Sequence, residues 1–248
     1  MGMPLDALTL DQAVSIVFDE LGKGHGGTVL TPNVDILRQY RRSPELQRIF
    51  ETTELLVTDG VPLIWASRLQ GTPVPERITG TDMMVSTAAA AATRDVAASV
   101  FLGGGRPGVA QRAADVLVRM SPGLQVTAYP CYVGPGPLEP QIEGLARAIV
   151  AARPDIVYVG LPFVSQVHAI AALRARLPQA WFVGVGASFD LLNGDRARAP
   201  AWMQRIGFEW AHRIAHEPSV WRRYLIKGLP VAARLGVHAL RARVRSGR

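Results

Sequence analysis

Short apolar runs alternate with longer segments of helical periodicity along the first 195 residues of the chain. Most of the apolar runs have no alternating polar position, which is typical of parallel strands that helices cover on both faces. The longer segments, such as Gly108–Met120 and Glu139–Ala152, are bounded by proline and glycine and are predicted to be helices. This order predicts an α/β fold that is Rossmann-like, with a doubly wound and mostly parallel sheet. The predicted strands are Gly27–Pro32, Glu54–Thr58, Ser99–Gly103, Gln125–Tyr129, Asp155–Gly160 and Ala180–Val185.

The pattern changes after Gly194, where helical periodicity continues and no further strand is predicted. We therefore divide the chain near Asp195–Ala199 into an α/β catalytic domain, residues 1–195, and a helical appendage, residues 196–248. The predicted appendage helices are Ala201–Ile206, Glu209–His216, Ser219–Ile226 and Ala232–Val244.

The net charge of +7 is divided unevenly between these two parts. Residues 1–195 hold 15 basic and 18 acidic residues, whereas residues 196–248 hold 12 basic and 2 acidic ones. The appendage is therefore predicted to bind an anion, such as nucleic acid, acidic lipid or a phosphorylated substrate.

The last predicted helix places Leu235, Leu240 and Val244 among several arginines. A basic amphipathic helix of this kind is typical of segments that lie on anionic membranes. Packing on its own domain or on a partner subunit explains the same pattern equally well.

The composition favours a globular protein in a reducing compartment. Hydrophobic residues make up 48% of the chain, and the single Cys131 excludes an internal disulfide. The N-terminus lacks the pattern of a secretory signal, and the most apolar stretch, Met83–Gly105, is interrupted by Arg94 and Asp95. We expect a cytoplasmic protein that does not cross the membrane.

Polar residues and glycines follow most of the predicted strands. Ligands of open parallel sheets bind at the carboxyl ends of the strands, so these residues are expected to share one cleft. They are Thr31, Asn33, Asp59, Gly103, Gly104, Gly105, Gly108, Gln166, Gly186 and Asp190.

The cluster Gly103–Gly108 matches the pattern Gly-x-Gly-x-x-Gly, which also occurs in nicotinamide-dependent oxidoreductases. It follows the third predicted strand rather than the first, and no acidic residue ends the next strand to bind a ribose. The glycines and the following helix start suit a diphosphate of any nucleotide, and a structural tight turn remains an alternative.

Asp59 lies between a strand and a glycine, before a predicted helix. It is either the N-cap of that helix or a general base for an acceptor hydroxyl. Arg77, in the loop after Pro73 and Pro75, is either a solvated arginine or a ligand of a phosphate or sugar.

Together these segments resemble the WecG/TagA/CpsF glycosyltransferase family over nearly the whole chain. No single segment is specific, but so many in the same order are. The resemblance rests on Thr31–Asn33, Thr58–Pro62 with Trp65–Ala66, Pro75–Asp82, Phe101–Gly104 with Pro107–Ala110, Val183–Asp190, Arg198–Pro200 with Trp202–Met203, Gly207–Trp210 with Arg213, Glu217–Pro218 and Trp221–Tyr224.

The resemblance implies an inverting, metal-independent transfer from a UDP-sugar to a sugar on a polyprenyl diphosphate, in the synthesis of a cell-surface polysaccharide or teichoic-acid-type polymer. It implies Asp59 as the catalytic base, and a nucleotide site formed by Gly103, Gly104, Gly105, Gly108, Val109, Tyr132, Gly186 and Asp190. Substrate contacts are implied for Thr31, Asn33, Arg77, Gln166, Arg213, Arg222 and Arg223.

The resemblance also implies peripheral attachment to the anionic inner face of the cell membrane and self-association of subunits. No metal and no cofactor besides the UDP-sugar are expected, because the sequence has no metal-ligand spacing of His, Asp and Glu and no Asp-x-Asp motif. Appendage arginines would then stabilise the diphosphates, and no nucleic-acid partner is expected.

Two departures from the family concern the donor sugar. Val164–Val167 stands where the family commonly has Pro-Lys-Gln-Glu, and Cys131–Tyr132 stands where it often has Gly-Tyr. The donor therefore stays open between an N-acetylmannosamine-like sugar, a uronic acid and another hexose. The alternatives in function are a nicotinamide-dependent oxidoreductase and a non-enzymatic basic module for membrane or nucleic acid.

Overall fold

The chain folds around one sheet of six parallel strands in the order β2-β1-β6-β5-β3-β4. The computed structural model describes residues 2–93, 98–196, 199–200, 203, 209–216, 221–245 and 247. Every predicted strand is present, which confirms the α/β prediction and its parallel sheet. The strands are β1 (Gly27–Leu30), β2 (Leu55–Leu56), β3 (Val100–Gly104), β4 (Val126–Tyr129), β5 (Ile156–Gly160) and β6 (Trp181–Gly184).

The path of the chain divides the carboxyl edge of the sheet into two halves. From β1 the chain passes to β2 at one edge, crosses to β3, reaches β4 at the other edge, and returns to the middle as β5 and β6. Neighbouring strands lie about 4.8 Å apart, so the ends of β2 and β3 are separated by about 19 Å. The carboxyl edge is therefore long enough for two reactants placed side by side.

Helices cover both faces of the sheet, as the doubly wound prediction requires. The helices of the described residues are α1 (Leu10–Gly22), α2 (Val34–Tyr40), α3 (Pro44–Glu51), α4 (Val61–Gln70), α5 (Gly80–Thr93), α6 (Val109–Met120), α7 (Leu138–Ala152), α8 (Phe163–Arg174), α9 (Ser188–Leu192), α10 (Glu209–His216), a π-helical turn (Arg222–Gly228) and α11 (Leu229–Arg245).

The core consists of two apolar layers, one on each face of the sheet. Consecutive strand residues point to opposite faces, so Leu102 enters the layer under α1, α5 and α6, and Phe101 enters the layer under α2, α3, α7 and α8. Both side chains are fully buried. This double burial is why the strands appear in the sequence as unbroken apolar runs.

The appendage packs on the core through α11, which lies against α4 and α2. Val231 and Ala239 are buried, and Leu235 packs against the same apolar layer as α2 and α3. The predicted helices Glu209–His216 and Ala232–Val244 are confirmed as α10 and α11. The predicted helix Ser219–Ile226 corresponds in part to the π-helical turn, and Ala201–Ile206 lies outside the described residues except for Met203.

The opposite side of α11 exposes a stripe of apolar residues at Leu229, Ala233, Val237, Leu240 and Val244. Their spacing of four, four, three and four residues places them on one face of the helix. Packing on its own domain was one of the two interpretations of this helix, and it accounts only for the other face. No helix of the described ranges is both long and apolar enough to cross a bilayer.

Candidate active site

Asp59 lies at the carboxyl end of β2, beside the end of β1. The pairing of the two strands continues past their regular part, because the N–H of Val57 donates to the Leu30 carbonyl and that of Asp59 to the Pro32 carbonyl, both at 3.0 Å. The chains approach so closely here that a Cβ on Gly60 would lie 3.1 Å from the Cα of Asn33. Asp59 and Asn33 are therefore neighbours at the same edge, as predicted for a shared cleft.

The alternative that Asp59 caps α4 is wrong. The N-cap of this helix is Gly60, which forms no side-chain cap, and a proline occupies the first turn. The half-buried Asp59 carboxylate is therefore not needed to start the helix. Its position before a helix N-terminus also favours a negative charge.

Asn33, by contrast, is a helix cap. Its Oδ1 accepts hydrogen bonds from the N–H groups of Asp35 and Ile36, both at 3.1 Å, at the start of α2. The oxygen is thus committed to the helix, so a substrate contact would use the amide N–H2 group. Thr31 precedes it and is partly buried.

Arg77 lies in the loop before α5, and this loop is attached to the end of β2. The N–H of Ile78 donates to the Thr58 carbonyl at 2.8 Å, which brings Arg77 next to Asp59. The Arg77 side chain is only 15% exposed, and its Nη1 donates to Glu209 Oε2 of α10 at 2.5 Å. The interpretation of Arg77 as a solvated arginine is therefore wrong.

Two opposing effects act on the charge of Arg77. Burial lowers its pKa, but the hydrogen bond to Glu209 and the negative charges of Asp59, Glu209 and Asp82 raise it by more, so the pKa lies above its ordinary value. Arg77 is thus a fixed cation surrounded by three carboxylates at the carboxyl edge.

The glycine turn begins inside β3. Gly103 and Gly104 are buried strand residues, and a Cβ on Gly104 would lie 2.4 Å from the carbonyl oxygen of Gly160. Gly105 and Gly108 have φ angles of +73° and +83° and lie in the turn itself, which requires glycine. Helix α6 starts at Val109 without a side-chain cap. The N–H of Val109 donates to the Arg106 carbonyl at 3.0 Å, so the N–H groups of the first turn that a ligand could use are those that follow Val109.

Tyr132 lies beside the glycine turn, because Gly105 forms an antiparallel bridge with Cys131. Tyr132 is 64% exposed, and the guanidinium of Arg106 lies 5.6 Å from the centroid of its ring. Arg106 was not predicted as a site residue, and its place within the Gly-rich turn is the signal that singles it out. Burial raises the pKa of the Cys131 thiol.

Gln166 and Gly186 contact one another between the two halves of the edge. The Gln166 Oε1 accepts the N–H of Gly186 at 2.8 Å, and the Gln166 side chain is buried. A Cβ on Gly184 would lie 2.3 Å from the Gln166 Nε2, so this glycine makes room for the amide. The glutamine shapes the loop after β6, where ligands of such sheets bind.

The remaining predicted site residues are distributed around this edge. Asp190 is half-exposed and lies 3.8 Å from Arg196. Arg222 is exposed, with its guanidinium 5.5 Å from the centre of the Trp221 ring. The side chains of Arg213 and Arg223 lie outside the described part of the chain.

The residues that the structure describes contain no group of three His, Cys, Asp or Glu side chains arranged to hold a metal ion. A groove of about 370 Å³ lies between α3 and α8. Its lining is mostly apolar and includes none of the predicted site residues.

The sequence of the chain is similar to those of known proteins. The model of the glycosyl transferase WecG/TagA/CpsF family matches residues 1–246. An N-acetylglucosaminyldiphosphoundecaprenol N-acetyl-beta-D-mannosaminyltransferase of Bacillus spizizenii is 30% identical over 205 residues, which is 83% of this chain and 77% of the relative. A protein of the same description from Bacillus subtilis is 27% identical over 201 residues, covering 81% of this chain and 75% of the relative.

The match over nearly the full length decides between the three functions that the sequence left open. It favours sugar transfer over nicotinamide chemistry and over a purely binding module. The chain belongs to the WecG/TagA/CpsF family and is a glycosyltransferase.

Proposed function

We propose that the protein transfers N-acetylmannosamine from a UDP-activated donor to the N-acetylglucosamine of an undecaprenyl-diphosphate-linked acceptor. The names of the two relatives support the transferred sugar and the acceptor. The observation that carries the mechanism is the placement of Asp59, a carboxylate at the carboxyl edge that does not cap α4 and that lies beside the fixed cation Arg77.

In this reaction Asp59 is the general base. Its carboxylate accepts the proton of the acceptor hydroxyl while the hydroxyl oxygen attacks the anomeric carbon of the donor. The bond between that carbon and the diphosphate oxygen breaks, and UDP leaves with the electron pair. Attack from the side opposite the leaving group inverts the configuration of the anomeric carbon.

The two substrates occupy different halves of the carboxyl edge. The donor nucleotide binds at β3 and β4, where the glycine turn and the uncapped start of α6 offer N–H groups to its diphosphate. Tyr132 with Arg106 offers an exposed ring against which a base stacks. The acceptor binds at β1 and β2, beside Asp59 and Asn33.

Arginines stabilise the negative charge that develops on the departing diphosphate, and the reaction needs no metal ion. The appendage supplies this charge, because residues 221–248 hold eight of its basic residues and no acidic one. Arg222, together with Arg213 and Arg223, is assigned to this role. Cations placed where the charge develops lower the free energy of the transition state.

The same appendage attaches the enzyme to the anionic inner face of the cell membrane. The exposed apolar stripe of α11 enters the headgroup region, and Arg234, Arg241 and Arg245 on the neighbouring face attract anionic lipid. Helix α11 packs on α4 and α2, the helices that directly follow Asp59 and Asn33. The membrane-facing surface thus lies on the acceptor side of the site.

A panel of UDP-sugars tested with lipid-linked N-acetylglucosamine checks the proposal. The highest turnover is expected with UDP-N-acetylmannosamine. The variant Asp59→Asn is expected to lose about 10²- to 10⁴-fold in kcat, the usual contribution of a general base, and to retain UDP binding and its Tm. The matched control is Asp115→Asn, an exposed carboxylate on α6 that should leave kcat unchanged. Wild-type turnover in Asp59→Asn would refute the mechanism.

A further inference from the structure

The ion pair between Arg77 and Glu209 joins the catalytic edge to the appendage. Glu209 is the first residue of α10, and 132 positions separate it from Arg77 in the chain. The two side chains are 15% and 32% exposed, and Nη1 and Oε2 lie 2.5 Å apart. This contact is therefore both long-range and sheltered from solvent.

The backbone on both sides of Arg77 is held to the core. The Glu76 carboxylate accepts the N–H of Leu10 at the start of α1. Ile78 is buried and donates to the Thr58 carbonyl, one residue before Asp59. The Arg77 backbone thus has a fixed position, and only its long side chain is left to be placed.

Three carboxylates compete for the Arg77 side chain, namely Glu209, Asp59 and Asp82. An arginine side chain has many rotamers, and holding it in one costs entropy that a specific partner must repay. Glu209 forms the short contact with Nη1, so it selects one of these rotamers. The selected rotamer keeps the guanidinium close enough to Asp59 for the two charges to interact.

The ion pair between Arg77 and Glu209 differs from an exposed ion pair in its energetic weight. Glu143 and Arg176 lie 2.9 Å apart, but they are 44% and 47% exposed, and such surface pairs contribute little. The Arg77 side chain is largely removed from water, so a loss of its partner leaves a sheltered charge that must find another one.

We propose that Glu209 is a positioning residue of the glycosyltransferase, which holds Arg77 beside Asp59 at the carboxyl edge of the sheet. When α10 docks on the core, this contact places Arg77 at the same time, so docking and the arrangement of the base are coupled. The inference rests on the proposed role of Asp59. Glu209 touches neither substrate, and its effect on turnover passes through Arg77.

The test is a double-mutant cycle in the full-length protein with UDP-N-acetylmannosamine and lipid-linked N-acetylglucosamine. Glu209→Gln is expected to lower kcat by about 10- to 100-fold, the usual result of misplacing a catalytic group by about 1 Å, and to change UDP binding less than twofold. In the Arg77→Ala background the same substitution is expected to cause no further loss, because the residue through which it acts is gone. Glu209→Asp, which keeps the charge, is expected to have intermediate activity, and Glu143→Gln is the control without effect.

Hydrogen exchange of residues 209–216 provides a readout that needs no substrate. Glu209→Gln and Arg77→Ala are both expected to accelerate exchange in α10, and the double variant should exchange no faster than either. Wild-type kcat in a folded Glu209→Gln protein, or additive losses in the cycle, would overturn the proposal. A lowered Tm in Glu209→Gln transfers the test to Glu209→Asp.

The outcomes also separate this proposal from the proposed function. If Asp59→Asn is active, the proposed role of Asp59 as the base is wrong, but the coupling between Arg77 and Glu209 can still be measured by hydrogen exchange. If Asp59→Asn is inactive and Glu209→Gln is fully active, only the proposed positioning role of Glu209 is refuted, and the proposed function stands.

Discussion

The sheet domain and the appendage differ in charge and in what they do with apolar side chains. Residues 1–195 carry a net charge of −3 and bury all residues of β1, β2, β3 and β6, whereas residues 196–248 carry +10. In α11, Leu229, Leu240 and Val244 are more than half exposed, although Val231 and Ala239 of the same helix are buried. Soluble domains rarely present a contiguous apolar surface of this kind unless another surface meets it. The first region buries its apolar side chains within itself, whereas the second presents apolar and basic side chains that we propose attach to a membrane.

The strongest way to break the sheet domain is to empty its core. Phe182 is fully buried in the middle strand β6, so Phe182→Ala is expected to lower the free energy of unfolding by about 3–5 kcal/mol, through lost burial and the cavity left behind. Denaturant unfolding followed by fluorescence measures this loss. Because the appendage packs on the same core, the variant should lose UDP binding and vesicle binding at the same denaturant concentration, which is the lowered midpoint of its unfolding. An undiminished unfolding free energy would contradict the described core.

The apolar stripe of α11 is expected to matter for membrane binding and little for stability. The double change Val237→Ser and Leu240→Ser removes two half-exposed apolar side chains. We expect it to weaken binding to anionic vesicles by about 2 kcal/mol, or about 30-fold, and to change the unfolding free energy by less than about 0.5 kcal/mol. Vesicle sedimentation measures the first quantity and thermal unfolding the second.

The control for this experiment lies in the other region of the molecule. Val118 and Met120 on α6 have comparable exposure, so Val118→Ser with Met120→Ser should leave vesicle binding unchanged. Binding of the unaltered protein should also fall with rising salt, because each basic residue near an anionic surface contributes about 1 kcal/mol that ions screen. Equal effects of both double changes would show that the stripe is not the attachment surface.

The smallest expected effect concerns the contact between the two regions. Val231→Ala removes two buried carbons, worth about 1.6 kcal/mol, but alanine gains about 0.5 kcal/mol in helix propensity. The net loss of about 1 kcal/mol should appear as faster hydrogen exchange in α11, with the strands unaffected. Faster exchange in β6 as well would mean that the two regions unfold as one unit.

The sequence predicted the sheet closely because the signal for each strand is local. A run such as Asp155–Gly160 is short, apolar on both faces and bounded by breakers, which favours a strand buried within a parallel sheet. The prediction placed all strands to within a few residues. The basic appendage was equally visible, because charge composition needs no tertiary contact.

The site was predicted less completely because chemically similar residues have different roles there. Asp59 and Asn33 both precede a helix in the sequence, and either is a suitable N-cap. The structure shows that Asn33 caps α2, whereas Gly60 is the N-cap of α4. Asp59 therefore lies at the carboxyl edge of the sheet without capping that helix. Backbone geometry decides this difference, and composition does not record it.

The sequence by itself determined the succession of strands and helices along the chain, the separation of a basic appendage, and a set of candidate residues at the strand ends. What only the tertiary structure decided was which of these residues meet. The pairing of Arg77 with Glu209 spans 132 positions, and the stripe of α11 is exposed only because its opposite face packs on α4. Periodicity and composition report local preference and burial, whereas such contacts depend on how distant segments are brought together in the folded core.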